Sequence, residues 1–203
     1  MRRDDGAVGY LKDDVLQTLV DARGRNLARH VDDAVAILRK ATVSRILVLG
    51  FGGGAASTLL HRTGAKVVSV DREPCAKPLA ELFFRAPPGL EVIVSEAEVY
   101  VGQAEPASFD GVFVDFQDSP APPAAYLSAT FWRSLSAALK PGGLVVVNIT
   151  EWLYCGDAWR DFQLALIGGG LDAAALGDDQ NGNRILVSSP VVPPMHAIDE
   201  LEP

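Results

Sequence analysis

Residues 45–55 have the sequence Arg45-Ile-Leu-Val-Leu-Gly-Phe-Gly-Gly-Gly-Ala55. The apolar run 46–49 has the length and composition of a buried strand, and the glycines that follow it predict a tight turn. The next segment, 55–62, has the composition of a helix. A strand, a glycine turn and a helix N-terminus in this order let a ligand approach bare backbone near the positive end of a helix dipole. We therefore expect the site of a nucleoside-bearing cofactor at this turn.

An acidic residue further along the chain supports this expectation. A second apolar run, 66–70, ends at Asp71, where a carboxylate can accept hydrogen bonds from the vicinal hydroxyls of a ribose. The same loop also matches the dinucleotide pattern Gly50-x-Gly52-x-x-Ala55. The motif alone leaves two ligand classes open, a nicotinamide or flavin dinucleotide and an adenosyl-sulfonium compound, beside a turn that binds no ligand.

Composition limits the class of protein. The chain has 203 residues, of which 48% are hydrophobic and 22% charged, as in an ordinary globular domain. Its net charge of −8 argues against a nucleic-acid partner and is compatible with a small or cationic substrate. No apolar run approaches the roughly 18 residues of a membrane span, and the first residues lack the apolar core of a signal peptide. We expect a cytoplasmic protein with no membrane partner.

The cysteines and histidines give no sign of a metal or a nucleophile. Cys75 and Cys155 have no paired spacing, and His30, His61 and His196 are scattered along the chain. Neither set matches a zinc motif or a Cys-His catalytic arrangement. We therefore expect no metal site.

Apolar runs and helical segments alternate along most of the chain. Strands are predicted at 45–49, 66–70, 91–94, 111–115 and 144–149, and helices at 55–63, 74–85, 98–103, 127–139 and 159–167. This alternation predicts a doubly wound α/β fold, with a mostly parallel, Rossmann-like sheet and helices on both faces. Two late strands, 171–176 and 184–189, predict an antiparallel edge at the C-terminal end of the sheet.

The chain divides into three predicted parts. Residues 1–43 are expected to be an N-terminal helical extension, because Val15, Leu16, Leu19 and Val20 recur at helical spacing. This extension is a candidate contact in a homodimer. Residues 44–190 form the binding domain, and the proline-rich residues 191–203 are expected to be a loose tail.

With these elements placed, residues 44–190 resemble the S-adenosylmethionine-dependent methyltransferase superfamily, and within it the spermidine-synthase-like branch without that branch's N-terminal β domain. The resemblance is carried by the glycine loop, Asp71, Ser95-Glu96-Ala97, Phe109-Asp-Gly-Val-Phe-Val-Asp115 and Lys140-Pro-Gly-Gly143. The lysine-proline-glycine-glycine turn before a fifth strand favours this superfamily over dinucleotide dehydrogenases.

The resemblance implies a set of cofactor-binding residues. Asp71 would bind the ribose, while the Glu96 side chain and the Ala97 backbone would meet the adenine. The full set is Gly50, Gly52, Gly53, Gly54, Asp71, Arg72, Glu96, Ala97 and Asp115.

The resemblance also bears on the donor. Spermidine synthases use decarboxylated S-adenosylmethionine, and an aspartate in their glycine loop holds its propylamine; the matching residue here is Gly53. Loss of that carboxylate removes a clamp for a lone ammonium and a repulsion against a methionine carboxylate. We therefore expect S-adenosylmethionine as the cofactor, with its decarboxylated form as the alternative.

An acidic pair indicates the chemistry. Asp115 follows the fourth strand, and Asp118 lies three residues on, as in the branch's Asp-x-x-Asp-Pro segment. The resemblance implies that Asp115 accepts a proton from the attacking group and that Asp118 helps with catalysis and binds an acceptor ammonium. Tyr126, Glu151 and Trp152 are the further candidates for binding the acceptor.

The sequence therefore predicts a transferase that moves a methyl or other alkyl group from S-adenosylmethionine to a small-molecule acceptor, an amine among the candidates. Aminopropyl transfer to a diamine is the alternative. A non-catalytic nucleotide-binding module is the second alternative.

Overall fold

The computed structural model describes residues 1–12, 15–41, 43–117, 121–178 and 182–190. The strands are β1 (Val8–Lys12), β2 (Val15–Val20), β3 (Arg45–Leu49), β4 (Lys66–Asp71), β5 (Glu91–Val94), β6 (Phe109–Val114), β7 (Leu139–Thr150), β8 (Leu171–Asp178) and β9 (Asn183–Pro190). The helices are α1 (Arg29–Lys40), α2 (Ala55–His61), α3 (Ala76–Phe83), α4 (Ala97–Gln103), α5 (Ala129–Ala138), α6 (Glu151–Tyr154) and α7 (Ala158–Gly168), with a 3₁₀ turn at Ala124–Leu127.

Seven strands form one sheet in the order β5-β4-β3-β6-β7-β9-β8. Strands β3 to β7 pair in parallel, and β9 is antiparallel to both of its neighbours, β7 and β8. The strand order reverses between β3 and β6, which is where open α/β sheets place their ligands. The predicted α/β class, the parallel sheet and the reversed strand at its C-terminal end are confirmed.

Helices cover both faces of the sheet because alternate residues of the central strands point in opposite directions. Leu47 and Leu49 belong to a core that includes residues of α4, α5 and α7. Ile46 and Val48 belong to a second core with α1 and α2. This burial on both sides explains why the central strands appear in the sequence as uninterrupted apolar runs.

The N-terminal extension differs from the prediction. Strands β1 and β2 replace the predicted helix and pair as an antiparallel hairpin, in which Val8 pairs with Val20 and Lys12 with Val15. Among the described residues of this extension, only those of α1 are helical. An isolated hairpin is marginally stable, so this one depends on contacts with the rest of the molecule, which local spacing of apolar residues does not reveal. The predicted tail, 191–203, lies outside the described residues.

No helix in the described parts of the chain combines the length and the apolar character needed to cross a lipid bilayer.

Candidate functional site

A cleft of about 1040 Å³ opens at the carboxyl ends of the parallel strands. Its wall includes Gly50 after β3, Asp71 at the end of β4, Glu96 after β5 and Asp115 after β6. The hairpin β1–β2 and the start of α1 also form part of the wall. The topology therefore brings together residues that are far apart in the sequence.

Gly50 fixes how the glycine loop leaves β3. Its φ is +94°, and a Cβ placed on it would lie 2.1 Å from the backbone oxygen of Asp115. Only glycine fits here, because both the left-handed backbone and the close approach of a neighbouring chain exclude a side chain. The loop is thereby packed against the segment that carries Asp115.

The backbone N–H groups of the glycine loop all have acceptors within the chain. Gly50 donates to the Val70 carbonyl at 2.9 Å, and Gly54 donates to the Phe51 carbonyl at 2.8 Å. Phe51 and Gly52 both donate to Oδ2 of Asp71, at 2.9 and 3.0 Å. Gly53 donates to the hydroxyl of Thr18 at 2.8 Å. The loop therefore offers no free N–H of residues 50–54 to a pyrophosphate.

Asp71 accepts hydrogen bonds from the glycine loop itself. Its Oδ1 also accepts from the backbone N–H of Glu73 at 2.9 Å. Three of the roughly four lone-pair sites of the carboxylate are thus taken. Asp71 therefore both lines the cleft and fixes the shape of the glycine loop.

Thr18 of the hairpin covers the glycine loop. Its side chain is buried, and its hydroxyl donates to the Gln17 carbonyl at 2.7 Å while accepting from Gly53. A Cβ on Gly53 would lie between 2.7 and 2.9 Å from Thr18 side-chain atoms. A carboxylate-bearing side chain at position 53 therefore has no room while the hairpin is in place.

A partly buried ion pair also holds the hairpin in place. Lys12 Nζ lies 2.6 Å from Oε1 of Glu73, in the loop that follows β4. The hydrogen bond and charge of Lys12 lower the pKa of Glu73 below its ordinary value. Tyr10, on the same strand as Lys12, has its pKa raised, chiefly by burial. The hairpin is thus attached to the wall of the cleft at both of its strands.

The wall beyond Asp71 suits an adenine. Glu96 is the residue before α4, is exposed, and lines the cleft next to Ala97. The first N–H groups of a helix have no carbonyl of their own helix to bind, so Ala97 can donate while Glu96 accepts. Arg72 also lines the cleft, with its Nε 3.8 Å from Oε1 of Glu73.

Asp115 is held by a single side chain among the described residues. Its Oδ1 accepts a hydrogen bond of 2.8 Å from Nδ2 of Asn148, at the end of the neighbouring strand β7. Its backbone N–H donates to the Leu49 carbonyl at 2.8 Å, which continues the pairing of β6 with β3. The carboxylate is thereby fixed at the floor of the cleft, where it can accept a proton or balance a positive charge.

The described wall of the cleft is strongly acidic. It carries the carboxylates of Asp71, Glu73, Glu96, Glu98 and Asp115. The cations Lys12 and Arg72 also line it, and both lie within 4.0 Å of Glu73. The excess of negative charge suits a positively charged ligand better than an anionic one.

All of the predicted site residues except Tyr126 and Glu151 fall into three groups. Gly50, Gly52, Asp71, Arg72, Glu96, Ala97 and Asp115 line the cleft together. Gly53 and Gly54 are buried behind it, against Thr18 and the ring of Phe51. Asp118 and the side chain of Trp152 lie outside the described residues.

Tyr126 and Glu151 are not where the prediction placed them. Tyr126 is 1% exposed and packs against Phe116, Trp132 and Phe162 in the core. Burial, and secondarily the charge of Asp115, raises its pKa far above the ordinary value. Glu151 is exposed at the start of α6 and is not one of the described residues of the wall. The ring of Tyr126 packs within the core and is therefore not available to an acceptor in the cleft.

Sequence reasoning missed two residues of the site, Thr18 and Asn148. Thr18 carries no sequence signal, because its role depends on a contact with Gly53 across 35 residues. Asn148 carries one: it is the polar residue in the apolar run Val145-Val-Val-Asn-Ile149. Within the described chain no cluster of three His, Cys, Asp or Glu side chains could hold a metal ion.

The fold and this cleft define a class: the chain has the fold of S-adenosylmethionine-dependent methyltransferases. A probable spermidine synthase from Corynebacterium glutamicum superposes with a TM-score of 0.69 at 20% identity, over 89% of this chain and 74% of that one. A methyltransferase from Bacteroides fragilis, solved in complex with S-adenosyl-L-homocysteine, superposes with a TM-score of 0.63 at 13% identity, over 92% and 87% of the two chains.

A curated relative gives a similarity in sequence. The chain is 31% identical over 109 residues to a polyamine aminopropyltransferase from Thioalkalivibrio sulfidiphilus, which is 49% of this chain. The matched part covers only 38% of the length of that relative. No family profile matches the chain.

Proposed function

We propose that this chain binds S-adenosylmethionine in the cleft and transfers an alkyl group, in the first instance methyl, to a small nucleophile. The single observation that carries the proposal is that the glycine loop donates every N–H of residues 50–54 inward, while carboxylates line the cleft. A dinucleotide would bring a pyrophosphate to a loop with no donor to receive it. A sulfonium nucleoside brings a positive charge to an acidic wall.

The similarity in fold supports this choice of donor, because the Bacteroides fragilis methyltransferase was solved with the corresponding product nucleotide. When bound, S-adenosylmethionine supplies an electrophilic carbon on a positively charged sulfur. Asp71 and Glu96 would hold the ribose and the adenine, and the hairpin β1–β2 would exclude water from the cleft. Asp115 would accept a proton from the nucleophile and orient it.

Aminopropyl transfer is the second candidate. The curated aminopropyltransferase relative and the β-hairpin at the N-terminus favour it. The space around Gly53 argues against it, because Thr18 fills the position from which a carboxylate would hold the amine of a decarboxylated donor. We therefore place methyl transfer first.

The test is an incubation with S-adenosylmethionine and a mixed pool of small amines and acids, followed by mass spectrometry of the nucleotide product. Methyl transfer leaves S-adenosylhomocysteine. Transfer of an aminocarboxypropyl group, or of an aminopropyl group from the decarboxylated donor, leaves methylthioadenosine. Formation of S-adenosylhomocysteine that depends on an added acceptor supports the proposal.

The control is Asp115→Asn, which keeps the hydrogen-bonding shape of the side chain but loses its charge and basicity. We expect product formation to fall about 10²-fold or more in this variant. Full turnover in Asp115→Asn would remove Asp115 from the chemistry. Tight nucleotide binding with no product from any acceptor would favour a non-catalytic binding module, and binding of a nicotinamide dinucleotide instead would overturn the proposal.

A further inference from the structure

Asn148 is a polar residue in a strand that is otherwise built for the core. Its neighbours Val146, Val147 and Ile149 are all 0% exposed, and Asn148 itself is 9% exposed. An apolar residue of similar volume would suit the packing at this position, because burying an amide requires hydrogen-bond partners for both of its ends.

Only one end of the Asn148 amide has such a partner. Its Nδ2 donates to Oδ1 of Asp115 at 2.8 Å, whereas its Oδ1 is buried and accepts no hydrogen bond from the described residues. An unpaired buried carbonyl destabilises a fold, because it loses its hydrogen bonds to water without gaining others. The stability of β7 therefore does not explain Asn148, and its bond to Asp115 does.

The register of the sheet makes this contact direct. Val114 of β6 pairs with Val147 of β7, so Asp115 and Asn148 are the next residues on adjacent parallel strands, and both line the cleft. Below them, the hydroxyl of the buried Tyr126 donates to the Asn148 backbone oxygen at 3.5 Å. Buried core residues thus hold Asn148 in place, and the hydrogen bond from Asn148 holds the carboxylate of Asp115 in one orientation.

We propose that Asn148 is a positioning residue: it fixes the Asp115 carboxylate so that its charge faces the cationic centre of the bound donor. The inference rests on the proposed function, since it needs a sulfonium in the cleft. The amide occupies one carboxylate oxygen, Oδ1, and leaves Oδ2 to the ligand. Asn148 then determines how well the site distinguishes a charged sulfonium from a neutral thioether.

The test compares the dissociation constants of S-adenosylmethionine and S-adenosylhomocysteine by calorimetry. These ligands differ in the methyl group and in the positive charge at sulfur. The ratio of their dissociation constants therefore reports the electrostatic potential at the sulfur atom. We measure wild type, Asp115→Asn, Asn148→Leu and the double variant, with Asn148→Ala as a second replacement that cannot overpack the strand. Ile149→Val, a core substitution on the same strand, is the matched control for loss of stability.

We expect Asn148→Leu and Asn148→Ala each to reduce the preference for the sulfonium ligand by about threefold to tenfold. The affinity for S-adenosylhomocysteine should change little, and Asn148→Leu should unfold at the same temperature as wild type or higher. In the Asp115→Asn background, replacing Asn148 should cause no further loss of preference for the sulfonium ligand, because the two residues act as a unit. Ile149→Val should lower stability and leave the preference unchanged.

Two outcomes overturn the inference and are distinguishable. If wild type binds neither nucleotide, the proposed function fails and the inference fails with it. If wild type binds both but the Asn148 variants keep the wild-type preference, or add their loss to that of Asp115→Asn, the proposed function stands and the positioning role is wrong.

Discussion

Gly50 and Gly64 have almost the same backbone conformation, with φ of +94° and +88°, but very different surroundings. A Cβ on Gly50 would lie 2.1 Å from the Asp115 backbone oxygen, whereas a Cβ on Gly64 would meet nothing within 4 Å. The pair therefore separates two reasons for a glycine, the left-handed backbone and the close approach of another segment.

Gly50→Ala is expected to be far more destabilising than Gly64→Ala. The second substitution carries only the strain of a left-handed alanine, about 1–2 kcal/mol. The first adds a clash with backbone, which must move Asp115 or the loop, so we expect a further loss of at least about 2 kcal/mol. Urea unfolding of both variants measures this difference. Equal losses of unfolding free energy in the two variants would mean that the loop and the Asp115 segment move apart at no energetic cost.

At the residue scale, the sequence predicted several of the residues that line the cleft, but not the contacts that place the others. Asp71 and Asp115 could be placed because each ends an apolar run, and the carboxyl ends of parallel strands meet at one edge of the sheet. The sequence could not predict the buried position of Tyr126 or the hydrogen bond between Asn148 and Asp115. Both depend on packing between segments that are distant in the chain.

At the scale of elements, the hairpin β1–β2 is the part that local pattern failed to predict. Apolar residues at 15, 16, 19 and 20 match a helix, but Leu16 is 49% exposed and the buried side chains of β2 are Thr18 and Val20. The alternation of a strand is therefore present, but it is hidden because the inward residue Thr18 is polar. By contrast, β3 has the predicted bounds, because burial on both faces leaves a run of apolar residues with abrupt ends. The edge strand β5 also has the predicted bounds, although its residues are exposed or only partly buried.

Thr18→Val should loosen the hairpin from the glycine loop with little change in shape. The substitution removes the hydroxyl that accepts from the Gly53 N–H, so hydrogen exchange at that amide should accelerate by about tenfold or more. Mass spectrometry or NMR of exchange in wild type and variant measures the effect. Thr63→Val is the control, because the Thr63 hydroxyl donates only to the Leu60 carbonyl, away from the hairpin. Unchanged protection of Gly53 would show that the hydroxyl contributes nothing to docking.

At the scale of the whole molecule, the two ends of the sheet have different structural roles. The carboxyl ends of the strands form the cleft, and the amino ends are joined by Asp110. One carboxylate oxygen of Asp110 accepts from the Ser44 hydroxyl and the Arg45 N–H, and the other accepts from Lys140 at 2.8 Å. Asp110 thus connects the starts of β3 and β7 to β6, at the end of the sheet opposite the cleft.

Acid should weaken this connection. The hydrogen bond from Lys140, followed by those from Arg45 and Ser44, lowers the pKa of Asp110 from 3.8 to about 2. A lowered folded-state pKa means that the stabilisation is complete above the unfolded value and is lost as the pH falls from about 4 to about 2. Because Lys140 is 41% exposed and the pair is partly screened by solvent, we expect a contribution on the order of 1 kcal/mol.

Urea unfolding between pH 5 and pH 2, on the order of half-unit steps, measures this contribution. Asp110→Asn should flatten the fall in stability and leave nucleotide affinity unchanged. Asp33→Asn is the control, because Asp33 is 55% exposed and its pair with Arg29 spans 4.0 Å. A wild-type acid dependence that persists in Asp110→Asn would assign the effect to other carboxylates.

The order of the last strands has a consequence for synthesis on the ribosome. β9 inserts between β7 and β8 although it is made after both, so the open side of β7 waits for residues 183–190 to emerge. Until then the nascent chain presents an unpaired strand edge, which is a template for association with other chains. Because that edge belongs to the strand that carries Asn148, this wall of the cleft is supported on both sides only after residues 183–190 have been synthesised.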